Sequence, residues 1–196
     1  MSTASLQISL QDALYGRRSV RSYNPEKLDR ETIDVLLNAA IHAPTAVHEE
    51  PWQFVVIQNA ALLKRLSDRA KKQVEEDAQK NPGEQSKVLL GIVSNPDFNI
   101  FYDASTLIAI AVKPVGAFVT ADAWLAAENL LLAAYGLGLG TCVIGLAVSC
   151  LNTPDVKREL GIPDEVLVVA PIIVGKPRGE TPISPRKNIE IITWKE

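Results

Sequence analysis

Residues 17–57 read RRSVRSYNPEKLDRETIDVLLNAAIHAPTAVHEEPWQFVVI, a basic cluster, a capped helix, a helix stop and a strand in that order. Asp29 is placed to cap a helix whose apolar residues Ile33, Leu36, Leu37, Ala40 and Ile41 recur at the spacing of one buried face. Pro44 lacks the N–H a helix interior needs, so the helix stops near it. QFVVIQ (53–58) then reads as a short buried strand. Between stop and strand lies His48-Glu49-Glu50, which opens like the H-E-x-x-H helix of a zinc protease. Trp52 occupies the position of the second histidine, and Pro51 before it opposes a helix. The only other histidine, His42, is separated from His48 by Pro44 and has no helical ligand spacing. No metal is expected here; a turn packed under Trp52 is the simpler reading.

The basic cluster invites a different chemistry. Arg17, Arg18 and Arg21 surround Ser19, and guanidinium groups donate paired hydrogen bonds to phosphate oxygens. The same residues also read as a solvated basic face after a short helix. SPRKN, near the C-terminus, supplies Arg186 and Lys187 in a proline-bounded turn that could complete such a clamp.

Downstream, residues 60–79 form an amphipathic helical pattern, which breaks down around NPGE and NPDFN to leave a loop with at most one short helix. STLIAIAV (105–112) is a second buried strand. Thr120 or Asp122 opens the helix ADAWLAAENLLLAAYGLGLG, apolar on nearly every side and so central to a core or an interface. NTPDVKRELG is a compact helix with Thr153 as cap, Pro154 in its first turn and Gly161 as terminator. EVLVVAPIIVG and IEIITW read as the third and fourth strands. Helices and strands do not alternate as in a Rossmann domain. The glycine segment that holds Gly138, Gly140 and Gly145 closes a helix rather than opening one, so the dinucleotide fingerprint is weak here. These glycines suit close approach to a flat ligand or to another helix. One α+β domain over residues 1–196 fits best.

The totals narrow the function. A net charge of −3 lacks the basic excess of a nucleic-acid binder. Cys142 and Cys150 have no CxxC spacing and read as buried thiols of a reducing compartment. No apolar run reaches the length of a membrane span and no secretory signal is visible, so a cytoplasmic protein is expected. No persuasive nucleophile–base pair stands out.

Three segments in order, residues 17–57, DAWLAAENLLLAAYGLGLGTCVIG and SPRKNIEIITW, closely resemble the nitroreductase family of FMN-dependent oxidoreductases. The resemblance covers most of the chain apart from roughly residues 70–98. It implies an α+β fold with a central, mostly antiparallel or mixed sheet flanked by helices. It also implies a homodimer with FMN at the subunit interface, in which the C-terminal strand is exchanged and the apolar helix forms the dimer core. By position, Arg17, Arg18, Ser19, Arg21 and Arg186 would hold the FMN phosphate. Pro44, Thr45 and Ala46 would lie along the flavin ring and ribityl chain. His48 and Glu50 replace the Asn and Gln of the family pattern A-P-S-A-x-N-x-Q-P-W-x-F, and His48 joins the flavin contacts. Backbone N–H groups of Ile144 and Gly145 would face flavin N5 and O4, and Asn99 the pyrimidine side. The implied activity is ping-pong hydride transfer from NADH or NADPH through flavin N5 to a nitroaromatic, quinone or similar small flat acceptor. Two alternatives stay open: a flavin carrier or sensor without NAD(P)H turnover, and a specialised dehalogenase or dehydrogenase on the same fold.

Overall fold

The computed structural model describes residues 8–196. Four strands, β1 (Trp52–Ile57), β2 (Thr106–Val112), β3 (Gly140–Val143) and β4 (Leu167–Gly175), form one sheet in the order β1-β2-β4-β3. Every neighbouring pair is antiparallel, with Trp52 opposite Val112, Ile108 opposite Ile172 and Cys142 opposite Ile173.

Helices cover both faces of the sheet, which explains why β2 is buried at every position and reads as a continuous apolar run. Successive β2 side chains alternate between two cores. Leu107, Ala109 and Ala111 face α3 (Ala60–Lys80), α6 (Val148–Leu151) and α7 (Pro154–Leu160). Ile108, Ile110 and Val112 face α2 (Arg30–Ile41) and α5 (Val119–Gly136). The remaining helices are α1 (Leu10–Gly16), ahead of the basic cluster, and α4 (Glu84–Val93), the short helix expected within the loop region.

Local chemistry sets the boundaries. Asp29 caps α2 by accepting the Thr32 N–H at 2.7 Å. Pro154 and Gly161, the latter at φ 69°, bound α7 as expected. Thr153 occupies the cap position without capping, because its hydroxyl donates to the Cys150 carbonyl instead. Neither Thr120 nor Asp122 caps α5, which starts at Val119 after Phe118.

Two strand expectations change. GTCV pairs with β4 as a strand of its own. Among the described residues IEIITW pairs into no strand; Ile189, Ile192 and Trp194 are exposed on the C-terminal arm.

Candidate functional site

The basic cluster follows α1 and runs alongside β3. Ser19 bridges Thr141, the Val20 N–H donates to the Thr141 carbonyl at 2.9 Å, and Tyr23 bridges Pro177. The Arg178 N–H donates back to the Ser22 carbonyl at 2.9 Å, so residues 19–23 are held between β3 and the chain after β4. Gly140 makes this possible: a Cβ there would sit 2.7 Å from Val20 Cγ2. The close approach anticipated for this glycine is to a neighbouring backbone segment.

A cleft of about 390 Å³ opens above this segment. Arg17, Arg18, Ser19 and Arg21 line it together with Arg178 and Arg186. Five arginines thus face one carboxylate, Glu180, a balance suited to a dianion. Arg18 Nη1 donates to the Tyr15 and Arg17 carbonyls at 2.7 and 2.8 Å, while its buried Nε has no partner. A buried guanidinium N–H without an acceptor fits a ligand oxygen at this place. Arg17 also leans on Glu128 of α5 at 3.7 Å. Of these residues, Arg178 was not singled out in the sequence; its signal was an arginine just past the end of the last paired strand.

Beyond β3, Ile144 and Gly145 part company. The Ile144 N–H donates to the Pro171 carbonyl at 2.8 Å, which removes Ile144 from the expected donor pair. Gly145 is exposed and begins a 3-10 turn, so its own N–H has no acceptor within that turn. Gly145 lies four residues past the Ser19–Thr141 bridge, roughly 13 Å of extended chain. On the same side of the sheet, Arg21 lies over the Tyr102 ring at 5.9 Å, linking the cleft to the Asn99 turn. Asn99 accepts the Phe101 N–H at 2.9 Å and donates to Asp103 at 2.8 Å, leaving one amide N–H for a ligand. Tyr102 and Asp103 both hold left-handed backbones.

Pro44, Thr45, Ala46 and His48 are elsewhere. Ala43 packs in the core shared by α2 and α5, whereas Ile100 and Ile144 pack in the core on the opposite face. The loop is pinned by the Ala46 N–H donating at 3.2 Å to Asp122, a side chain only 2% exposed whose other oxygen has no partner. Val47, His48 and Glu50 have φ of 48°, 57° and 44°, uncommon for side chains of this kind. His48 is exposed and Glu49 folds its carboxylate onto Gly116. His42 places Nδ1 2.7 Å from the Asn38 carbonyl. Among the described residues, no three His, Cys, Asp or Glu side chains come together to hold a metal ion.

Burial pushes the Cys142 thiol above its ordinary pKa, with Arg21 and Ser19 pulling the other way. Burial likewise raises the Tyr23 phenol, whose hydroxyl donates to the Val20 carbonyl at 2.7 Å. Both stay protonated at neutral pH and serve packing.

An anion clamp of arginines beside β3 on an α+β scaffold suits a phosphate-bearing cofactor, and the family match together with relatives solved with bound FMN makes the class a flavin-dependent oxidoreductase. The chain belongs to the nitroreductase family, whose sequence profile matches residues 14–176. A relative from Archaeoglobus fulgidus, provisionally named NADH dehydrogenase/NAD(P)H nitroreductase, is 28% identical over 172 residues, covering 85% of this chain and 84% of its own. A nitroreductase from Bacteroides fragilis, solved with bound FMN, superposes with a TM-score of 0.79 at 25% identity, covering 96% of this chain and 98% of its own. Iodotyrosine deiodinase 1 of Rattus norvegicus is 26% identical over 194 residues, covering 92% of this chain and 67% of its own.

Proposed function

We propose that this protein is a homodimeric, FMN-dependent NAD(P)H oxidoreductase that reduces small flat acceptors such as nitroaromatics and quinones. The observation that carries the reading is the five-arginine cleft followed, roughly 13 Å along β3, by the open Gly145 N–H. FMN bound there supplies ping-pong hydride transfer between the nicotinamide and the acceptor. The chain's own work is to bind and orient. Arg17, Arg18, Ser19, Arg21, Arg178 and Arg186 take the phosphate. Gly145 would offer a fixed N–H dipole to the flavin ring, where it would favour negative charge on the reduced form. Asn99 offers its remaining N–H to the pyrimidine side.

The position of residues 44–46 supports the dimer. Their neighbour Ala43 packs on the face of the sheet opposite Ile100 and Ile144, the neighbours of Asn99 and Gly145, an arrangement that suits a flavin shared between two chains. A second copy supplies residues 44–46. Trp124 and Leu125 of α5, 45% and 46% exposed, give the contact an apolar centre, and the arm carrying Ile189, Ile192 and Trp194 crosses to the partner. Two unpaired buried cysteines suit a cytoplasmic setting.

The test is spectroscopic. Purified protein should carry an oxidised flavin spectrum that NADH or NADPH bleaches without oxygen and a nitro compound or menadione restores. Flavin that no nicotinamide bleaches would make the protein a carrier or sensor instead. The similarity to the rat deiodinase favours one further reading, reductive dehalogenation, for which release of halide from a halophenol is the assay.

A further inference from the structure

We propose that the acceptor pocket sorts aromatic substrates by charge, and that Asp77 makes it favour cationic and neutral rings over anionic ones. This rests on the flavin reading above, because the pocket is placed by Gly145. A cavity of about 490 Å³ opens beside Gly145 and Leu146, between the C-terminal end of α3 and the start of α4. That volume lies in the range of small-molecule sites. Its apolar walls come from Val74, Ala78, Leu89 and Leu146, which suit a flat ring.

Asp77 is the one ionisable residue among those lining the cavity. Its place on α3 is unusual. The stripe that α3 buries runs Leu63, Leu66, Ala70, Val74, Ala78, and Asp77 falls on the same face, three residues after Val74. An acid in an apolar stripe loses hydration, so it needs a compensating partner. Asp77 Oδ1 accepts one hydrogen bond, from Gln73 Nε2 at 2.9 Å. Among the described residues no cation pairs with Asp77: Lys80, one turn further along α3, forms no ion pair, Lys71 donates to the Pro96 carbonyl at 3.0 Å, and Lys87 pairs with Glu84 at 2.8 Å. The half-buried carboxylate therefore projects an uncompensated negative field across the pocket, screened less than on an open surface. A protonated amine on the ring is attracted and a carboxylate repelled. Specificity here arises as much from rejecting the wrong charge as from binding the right one.

Oxidised holoenzyme titrated with benzylamine, benzyl alcohol and benzoate, none of which is reduced, reads the preference through the shift of the flavin spectrum. The expected order of affinity is amine, alcohol, carboxylate. Asp77→Asn should shrink the amine-to-carboxylate ratio by about a hundredfold, since a charge ~6 Å away at intermediate screening changes each ligand's affinity about tenfold and in opposite directions. Asp77→Glu should retain the ratio. In the unaltered protein, raising salt should shrink it too, which gives a readout free of any folding defect. Nitrobenzene reduction by NADH or NADPH is run alongside. Turnover of nitrobenzene with a ratio insensitive to both salt and Asp77→Asn overturns the charge proposal alone. No nicotinamide-dependent reduction overturns it together with the functional reading beneath it.

Discussion

Asp122 holds the loop at residues 44–50 from beneath. Its Oδ1 accepts the Ala46 N–H, and three of the next four residues, Val47, His48 and Glu50, keep left-handed backbones that need such an anchor. Replacing Asp122 with Ala leaves that N–H without its acceptor. A loss of about 1–3 kcal/mol in unfolding free energy is expected for the apoprotein in urea, with Asp122→Asn losing less because an amide oxygen can still accept. At the clamp, Arg21→Ala or Arg186→Ala should weaken FMN by about 1.5–3 kcal/mol in a fluorescence titration, the range for hydrogen bonds to charged groups. Equal flavin retention in both variants would remove the phosphate from this cleft. The arginine run was legible in the sequence because so many guanidiniums gather around one serine. Arg178, Asp122 and Asp77 were not, since each is a lone charge whose meaning comes only from what the fold sets against it.

The four paired strands differ in how far their residues declare them. β2 after Thr106 and β4 are continuous apolar runs, since a sheet covered on both faces needs no alternation, and β1 is apolar apart from Gln53. β3 is four residues with a glycine at its start, and follows an apolar helix without a polar break, so nothing local separates it from its surroundings. IEIITW shows the converse: its residues suit a strand, but among the described residues it pairs with neither edge of the sheet, β1 or β3. Helix α2 supports a pH prediction. The hydrogen bonds from Thr32 hold the Asp29 carboxyl below its usual pKa. A lowered folded value means the stabilisation is complete above the unfolded aspartate pKa, roughly 3.9, and fades as pH falls through the folded one. Thermal midpoints across acid pH should therefore fall less steeply for Asp29→Asn, which keeps the cap without the titration.

At the scale of the molecule, the arm after residue 188 has exposed isoleucines and a tryptophan and pairs with no strand among the described residues. Ending the chain at residue 188 should shift the protein toward monomer in light scattering and lower its flavin content in the same preparation. Only the family resemblance made that arrangement legible beforehand, because a single chain's hydrophobic pattern does not say which copy of the sheet a segment joins. The division of the candidate site between the two faces of the sheet also has a genetic consequence. Arg21→Glu, which sets a carboxylate against the phosphate, and a bulky Thr45→Trp should each inactivate both sites of their own homodimer. If the two variants are unfolded and refolded together, half the dimers are mixed, and each mixed dimer has one site with both defects and one site with neither. Activity should return to about a quarter of the native level from two inactive parents, as two-fold symmetry and random pairing require.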